Sequence, residues 1–109
     1  MDDKGTTSEK WIEKTLCNEV KKLGGWAIKL PSYLHNGLPD RLILMPQGRA
    51  YFAETKSKGG KPSKIQDLTI NKIKKLGFTV FIIYDKTTLD EAIKKINNNA
   101  IHGEQTTNS

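Results

Sequence analysis

The feature that most constrains the fold is a pair of strand-forming runs separated by three turn-forming residues. The first run is Arg41 to Met45, the turn is Pro46-Gln47-Gly48, and the second run is Arg49 to Lys56. Branched and aromatic residues are enriched in strands, whereas proline and glycine favour tight turns. The segment therefore predicts a β-hairpin, in which the start of the first strand lies beside the end of the second.

Helices and two further strands are predicted around this hairpin from the spacing of apolar residues and from capping residues. The predicted elements are a helix over residues 8–23, a strand over 26–30, the hairpin strands over 41–45 and 49–56, a helix over 63–76, a strand over 79–84 and a helix over 88–97. This α-β-β-β-α-β-α order indicates a small α/β domain in which helices flank a mixed sheet. We expect one domain over residues 8–97, between a polar N-terminal segment (1–7) and a polar tail (98–109) to which the pattern assigns no structure.

Composition limits the functions that such a domain can have. Cys17 is the only cysteine, which excludes an internal disulfide and a thiolate metal cluster, so a metal would need oxygen or histidine ligands. No apolar run approaches the roughly 20 residues of a membrane helix, and the N-terminus lacks a hydrophobic secretion signal. We therefore expect a cytoplasmic protein with no membrane partner. The net charge of +6 favours a polyanionic partner such as nucleic acid.

Three residues of the hairpin have the types needed for phosphate chemistry. Asp40 opens the first strand, while Glu54 and Lys56 project from the same face of the second because strand side chains alternate. Cross-strand neighbours lie roughly 5 Å apart, so these groups should meet. Two carboxylates can hold a hard cation such as Mg²⁺, and the Lys56 ammonium can orient water or stabilise the transition state of phosphodiester cleavage. The alternative is a cross-strand salt bridge on a half-exposed sheet.

Several other side chains have two interpretations each. Glu9 falls on the apolar face of the first helix and could join the site, or it could serve only the helix dipole; Glu13, one turn further on, is the weaker candidate. Gln66 completes a Ser63-x-x-Gln66 capping box and could also reach the site. Trp11, on the opposite side of the first helix, is either an exposed contact surface or covered by the last helix.

Basic groups near the predicted site are candidates for phosphate contacts. Lys58 and Lys61 lie on a glycine-containing loop after the hairpin, His35 lies in the loop before it, and Lys29 and Arg41 lie near strand ends. Proteins position DNA largely through contacts of this kind between basic groups and phosphate oxygens. We therefore predict that these five residues bind nucleic acid.

Taken in order, these motifs resemble the VRR-NUC nucleases, a family of the PD-(D/E)XK superfamily. The resemblance covers roughly residues 8–85 and implies a restriction-endonuclease-like core with Mg²⁺- or Mn²⁺-dependent cleavage of phosphodiester bonds. The residues that carry it are Glu9, Gly24-Gly25, Gly37-Leu38-Pro39-Asp40-Arg41, Gly48-Arg49, Glu54-Thr55-Lys56 and Ser63-x-x-Gln66.

The resemblance also implies a role for each residue of the site. Thr55 stands where the family commonly has an apolar residue, and we expect its side chain to face away from the site and to matter little. The implied roles are metal ligand for Asp40, Glu54 and the Thr55 backbone carbonyl, catalytic group for Lys56, helix carboxylate for Glu9 and accessory group for Gln66.

The resemblance extends to substrate and assembly. Stand-alone members of the family resemble phage or prophage proteins that act as homodimers on branched or structured DNA, which implies a structure-selective DNA endonuclease in the cytoplasm of a bacterial host. The alternative is a nucleic-acid-binding module with the same fold and little or no catalysis. Two clustered carboxylates favour the enzyme, because a module that only binds DNA has no use for charges that repel phosphate.

Overall fold

The computed structural model describes residues 8–31, 37–57 and 60–108, with side chains as far as residue 99. The order of its elements confirms the predicted α-β-β-β-α-β-α order. The elements are helix α1 (Glu9–Lys22), strands β1 (Trp26–Lys29) and β2 (Arg41–Met45), a 3₁₀ turn (Pro46–Gly48), strand β3 (Arg49–Thr55), helix α2 (Lys64–Lys75), strand β4 (Thr79–Ile83) and helix α3 (Lys86–Asn108).

The last helix differs most from its prediction. α3 begins at Lys86, before Thr88, and continues to Asn108, so the predicted end near Asn97 is wrong. The Asp85 carboxylate accepts a hydrogen bond from the Thr88 backbone N–H at 2.8 Å and caps the start of the helix. The residues after Asn97 lack apolar periodicity, but backbone hydrogen bonds can continue a helix whose side chains are polar. None of the described helices, α3 included, is long and apolar enough to cross a membrane.

The strands in the described part of the chain form one mixed sheet in the order β1-β2-β3-β4. β1 pairs with β2 and β2 with β3 in antiparallel fashion, whereas β4 lies parallel to β3 and is reached through α2. In the predicted hairpin, Met45 pairs with Arg49 next to the turn, and Arg41 pairs with Ala53 at the open end. The predicted mixed sheet is confirmed, and its register brings the residue before β2 next to the end of β3.

Helices pack on both faces of this sheet. On one face, α1 and α3 bury the main core, whose members are Ile12, Leu16, Val20, Ile43, Met45, Tyr51, Ala53, Ile83, Leu89, Ala92 and Ile96. On the other face, Phe52 packs against a smaller cluster that α2 and β4 supply, formed by Ile70, Ile73 and Val80. The cross-strand partners Trp26 and Leu44 lie on this second face and are 66% and 39% exposed. The α2 face of the sheet is therefore less completely buried at β1 and β2.

Trp11 lies in the groove between α1 and α3, where it is partly buried and packs against the main core. Leu89 and Ile93 of α3 line the same groove. The interpretation of Trp11 as an exposed contact surface is therefore wrong, and the alternative, that the last helix covers it, fits the structure. The reason is that α1 packs against both the sheet and α3, so its buried face is wider than a single apolar stripe and includes Trp11.

Candidate active site

A short loop holds Asp40 beside the end of β3. Gly37 has a φ of +100°, and a Cβ at this position would lie 2.7 Å from Thr69 Oγ1 and 2.8 Å from the Ile65 carbonyl oxygen. Glycine alone combines this left-handed backbone with such a close approach to α2. Pro39 is fully buried, so the chain is anchored to the domain immediately before Asp40.

The Asp40 carboxylate is bound by Thr55. Its Oδ1 accepts a hydrogen bond from the Thr55 backbone N–H at 3.2 Å, and its Oδ2 accepts one from Thr55 Oγ1 at 2.6 Å. The expectation that the Thr55 side chain faces away from the site is therefore wrong. Asp40 precedes β2, so its side chain does not follow the alternation of the strand and instead reaches the face on which Thr55 lies. An apolar residue at position 55 could not donate the second hydrogen bond.

Glu54 is the most buried carboxylate of the site, with 4% of the residue exposed. Its Oε1 accepts a hydrogen bond from the Asp40 backbone N–H at 3.1 Å. Its Oε2 lies 2.8 Å from Gln66 Nε2 and 3.0 Å from the Lys56 ammonium. These contacts satisfy a buried charge that would otherwise be costly. The hairpin thus brings Asp40, Glu54 and Lys56 together at one end of the sheet, as its predicted geometry required.

Gln66 serves both of the roles that its sequence motif allowed. Its Oε1 accepts a hydrogen bond from the Ser63 backbone N–H at 3.0 Å, and Ser63 Oγ accepts one from the Gln66 N–H at 3.2 Å. This reciprocal pair is the capping box at the start of α2. The same side chain donates through Nε2 to Glu54. The amide therefore ties the N-terminus of α2 to the buried carboxylate.

Two glutamates of α1 also reach this end of the sheet. Carboxylate oxygens of Glu9, Glu13 and Asp40 all lie within 4.8 Å of one another. Glu13 is engaged, because its Oε1 lies 2.9 Å from Arg41 Nη2 and 3.6 Å from Lys29 Nζ. Glu9 is exposed and has no hydrogen-bond or ion-pair partner within the described residues. The sequence favoured Glu9 over Glu13, but their spacing of one helical turn already allowed both to face Asp40.

Arg41 has surroundings that do not favour its predicted contact with DNA. Its side chain is only 13% exposed and pairs with Glu13. Its Nη1 donates to the Ala27 carbonyl oxygen at 3.4 Å, and its Nε is buried without a partner in the described part of the chain. The guanidinium therefore links β2 to β1 and α1. Sequence reasoning missed this contact because Arg41 and Glu13 are far apart along the chain.

The other predicted DNA-binding residues divide into two groups. Lys29 has 66% of its side chain exposed at the end of β1, and Lys61 is exposed before α2. Both ammonium groups are therefore accessible to a large ligand. His35 and Lys58 lie outside the described residues.

The surroundings of Asp40 change the pKa of its carboxyl group. The pKa of its carboxyl group is raised from 3.8 to about 6. Burial is the largest cause, and the negative charges of Glu54 and Glu13 act in the same direction, whereas the hydrogen bonds from Thr55 act against them. The ionised form of Asp40 is therefore disfavoured, first by burial and then by the neighbouring carboxylates.

The donor set at this end of the sheet fits a hard divalent cation. Glu9, Glu13 and Asp40 offer clustered carboxylate oxygens, and Glu54 adds a fourth carboxylate hydrogen-bonded to the backbone of Asp40. Mg²⁺ and Mn²⁺ prefer oxygen ligands of this kind. A cation would also stabilise the ionised form of Asp40, which burial and the negative charges of Glu54 and Glu13 disfavour.

Comparisons with known proteins agree with this chemistry. No protein-family model matches the sequence. A protein of Acyrthosiphon pisum secondary endosymbiont phage 1, named "Putative nuclease p44", is 38% identical over 86 residues, which cover 79% of this chain and 91% of that protein. A solved structure described as a VRR_NUC domain superposes with a TM-score of 0.73 at 29% identity, covering 81% of this chain and 96% of the other.

We predict that Asp40→Asn stabilises the metal-free protein increasingly as the pH rises. Because the pKa of Asp40 is raised on folding, the folded protein binds more protons than the unfolded chain between pH 3.8 and about 6. The wild-type carboxyl group therefore lowers the stability of the fold as the pH rises through that window, and the asparagine does not. Urea unfolding in EDTA, with the exposed Asp67→Asn as the charge control, measures the difference. A gain that is independent of pH would contradict the prediction.

Proposed function

The chain belongs to the VRR-NUC family of nucleases, and on this premise we propose that it is a DNA endonuclease that depends on Mg²⁺ or Mn²⁺. The observation that carries the proposal is the hydrogen-bonded group formed by Asp40, Glu54, Lys56 and Gln66. It joins two carboxylates, an ammonium and an amide at one end of the sheet, next to the carboxylates of α1. A salt bridge with a purely structural role between Glu54 and Lys56 would not require the additional carboxylates that cluster beside it.

The proposed metal ligands are Asp40, Glu54 and the Thr55 carbonyl. Each carboxylate oxygen has two lone pairs, so Glu54 Oε1 keeps one after it accepts the hydrogen bond from Asp40. The divalent ion, when bound, would polarise the scissile phosphate and stabilise the charge that develops on it. The Thr55 hydroxyl would orient the Asp40 carboxylate for this purpose, because it donates a hydrogen bond to Oδ2.

Glu9 is the proposed helix carboxylate, in preference to Glu13. Arg41 engages Glu13 at 2.9 Å, whereas Glu9 has no partner in the described part of the chain. We propose that Glu13 has a structural role and sets the distance of α1 from β2 through Arg41. Glu9 then presents its carboxylate toward Asp40 and can accept a hydrogen bond from a water molecule bound at the site.

Lys56 is the proposed catalytic lysine. Its ammonium lies 3.0 Å from Glu54 and its side chain is 25% exposed, so a phosphate entering from solvent can reach it. The ammonium can donate hydrogen bonds to a nonbridging phosphate oxygen or to the attacking water. Gln66 holds Glu54 from the other side and so fixes the position of the ion pair, which is an accessory role.

The proposed substrate is branched or structured DNA, and the proposed active form is a homodimer. A monomer of 12.3 kDa offers one such site and a short surface, whereas a twofold dimer offers paired sites that match the symmetry of a branch point. Trp26 and Leu44, both exposed on the α2 face of the sheet, support a self-association surface because aromatic residues are enriched in interfaces.

The residues proposed to contact the phosphates of the substrate are Lys29, Lys61, His35 and Lys58. The expected cytoplasmic location, in a bacterial host, belongs to the same proposal.

The first test removes the catalytic ammonium. Lys56→Ala should lower the single-turnover cleavage rate by about 100-fold or more, because the ammonium no longer stabilises the developing charge. DNA affinity should be nearly unchanged, because binding rests on many phosphate contacts. The assay uses flaps, junctions, single strands and duplexes with Mg²⁺ or Mn²⁺, and the exposed Lys95→Ala is the control. Cleavage by Lys56→Ala at the wild-type rate would remove this residue from the mechanism.

The second test separates the two helix carboxylates. Glu9→Gln should weaken Mn²⁺ binding about tenfold by calorimetry. It should change the unfolding free energy by less than about 1 kcal/mol, because the Glu9 carboxylate interacts with the helix dipole but has no hydrogen-bond or ion-pair partner in the described part of the chain. Glu13→Gln should instead cost about 1–3 kcal/mol of stability, because it deprives the enclosed Arg41 of its charged partner. The reverse pattern would assign the metal-binding role to Glu13.

The third test concerns assembly. Light scattering should give twice the monomer mass of 12.3 kDa for the wild type and the monomer mass for Trp26→Ser. Leu76→Ser is the matched control, because Leu76 is 73% exposed at the end of α2 and should not affect the dimer. A wild-type monomer, with or without junction DNA, would contradict the homodimer, and a Trp26→Ser dimer would contradict this interface.

A further inference from the structure

The outward face of α2 is rich in lysine. The helix carries Lys64, Lys72, Lys74 and Lys75, all exposed, and its only acidic residue is Asp67. Exposed Lys61 lies three residues before the first residue of the helix. With four lysines against one aspartate, α2 alone supplies +3 of the net charge of +6.

Each of the other two helices has one lysine that pairs with an acidic residue of the same helix, whereas α2 has no such pair in the described residues. On α1, Lys22 pairs with Glu19 at 3.1 Å, and on α3, Lys86 pairs with Asp90 at 2.8 Å. Within the described ranges, none of the α2 lysines takes part in an ion pair. Their charge is therefore available to a negatively charged partner, and such a partner gains from releasing its counterions.

The position of α2 relates this charge to the active site. Gln66, in the first turn, donates a hydrogen bond to Glu54, so the helix begins at the site. From Gln66 to Lys75 the helix extends about 14 Å, at 1.5 Å per residue. Phosphates follow one another at about 3.4 Å along the axis of a DNA strand, so this length corresponds to about four nucleotides. A DNA segment of about four nucleotides that starts at the active site could therefore reach the lysines at the end of α2.

We propose that the outward face of α2 binds the sugar-phosphate backbone of one duplex arm of the substrate and directs that arm into the active site. The proposal rests on the proposed DNA endonuclease function and adds the surface that holds the substrate. Lys72, Lys74 and Lys75 line an open groove together with Asn71 and Leu68, which is 69% exposed and can contact sugar groups. Charge complementarity favours DNA over a second copy of this chain, because a symmetric contact through α2 would bring two lysine-rich faces together.

The test compares two double variants that each remove two exposed lysines. Lys72→Ala/Lys75→Ala alters the face of α2, and Lys94→Ala/Lys95→Ala alters α3. The α2 variant should bind fluorescent duplex or junction DNA about tenfold more weakly. The slope of the logarithm of its binding constant against the logarithm of the salt concentration should become smaller in magnitude by about 0.9 for each phosphate that the variant no longer neutralises. The α3 variant should retain wild-type affinity and salt dependence.

Each other outcome has a definite meaning. Unchanged affinity and salt dependence in the α2 variant would overturn the proposal. Conversion of a wild-type dimer to a monomer by the α2 variant would also overturn it, because the face would then belong to a second copy. Lysine-dependent DNA binding by a wild-type protein that cleaves no substrate would support the α2 surface and contradict only the proposed endonuclease function. Equal urea midpoints for both variants exclude an effect through folding.

Discussion

Hydrogen bonds run in both directions between Asp40 and the end of β3, and the arrangement of the site depends on them. The Asp40 backbone N–H donates to Glu54, while the Thr55 N–H and hydroxyl donate to the Asp40 carboxylate. Side-chain hydrogen bonds thereby join the segment before β2 to the end of β3, in addition to the backbone hydrogen bonds between β2 and β3. Gly37 brings that segment close to α2, and Pro39 is fully buried. Without these contacts, the carboxylates of α1 and β3 would have no common neighbour.

The distribution of charge follows from this arrangement. Four carboxylates meet at one end of the sheet of a chain whose net charge is +6, and burial among them raises the pKa of Asp40 to about 6. Arg41 and Lys56 pair with Glu13 and Glu54, whereas Glu9 and Asp40 have no cationic partner among the described residues. An acidic centre attracts a divalent cation, and a basic surface around it attracts a polyanion. Both features are needed by a protein that brings a metal ion to a phosphate.

Much of this arrangement was predictable from local pattern. Strand alternation and a short turn were enough to place Glu54 and Lys56 next to Asp40, and the capping motif located Gln66. Two contacts were not predictable in this way. Thr55 binds Asp40 because Asp40 lies outside the strand, where alternation does not apply. Arg41 pairs with a glutamate on α1, and a tertiary contact between distant segments leaves no local signature. The covering of Trp11 depends likewise on where α3 packs.

The most direct test of this account is the position of a bound metal ion. Crystals grown or soaked with Mn²⁺ would locate the ion by its anomalous scattering. We expect one ion within about 2.0–2.6 Å of oxygens from both Asp40 and Glu54, with Glu9 nearby. An ion held by the α1 glutamates without Asp40 or Glu54, or an ion elsewhere with these two carboxylates pointing apart, would contradict the account.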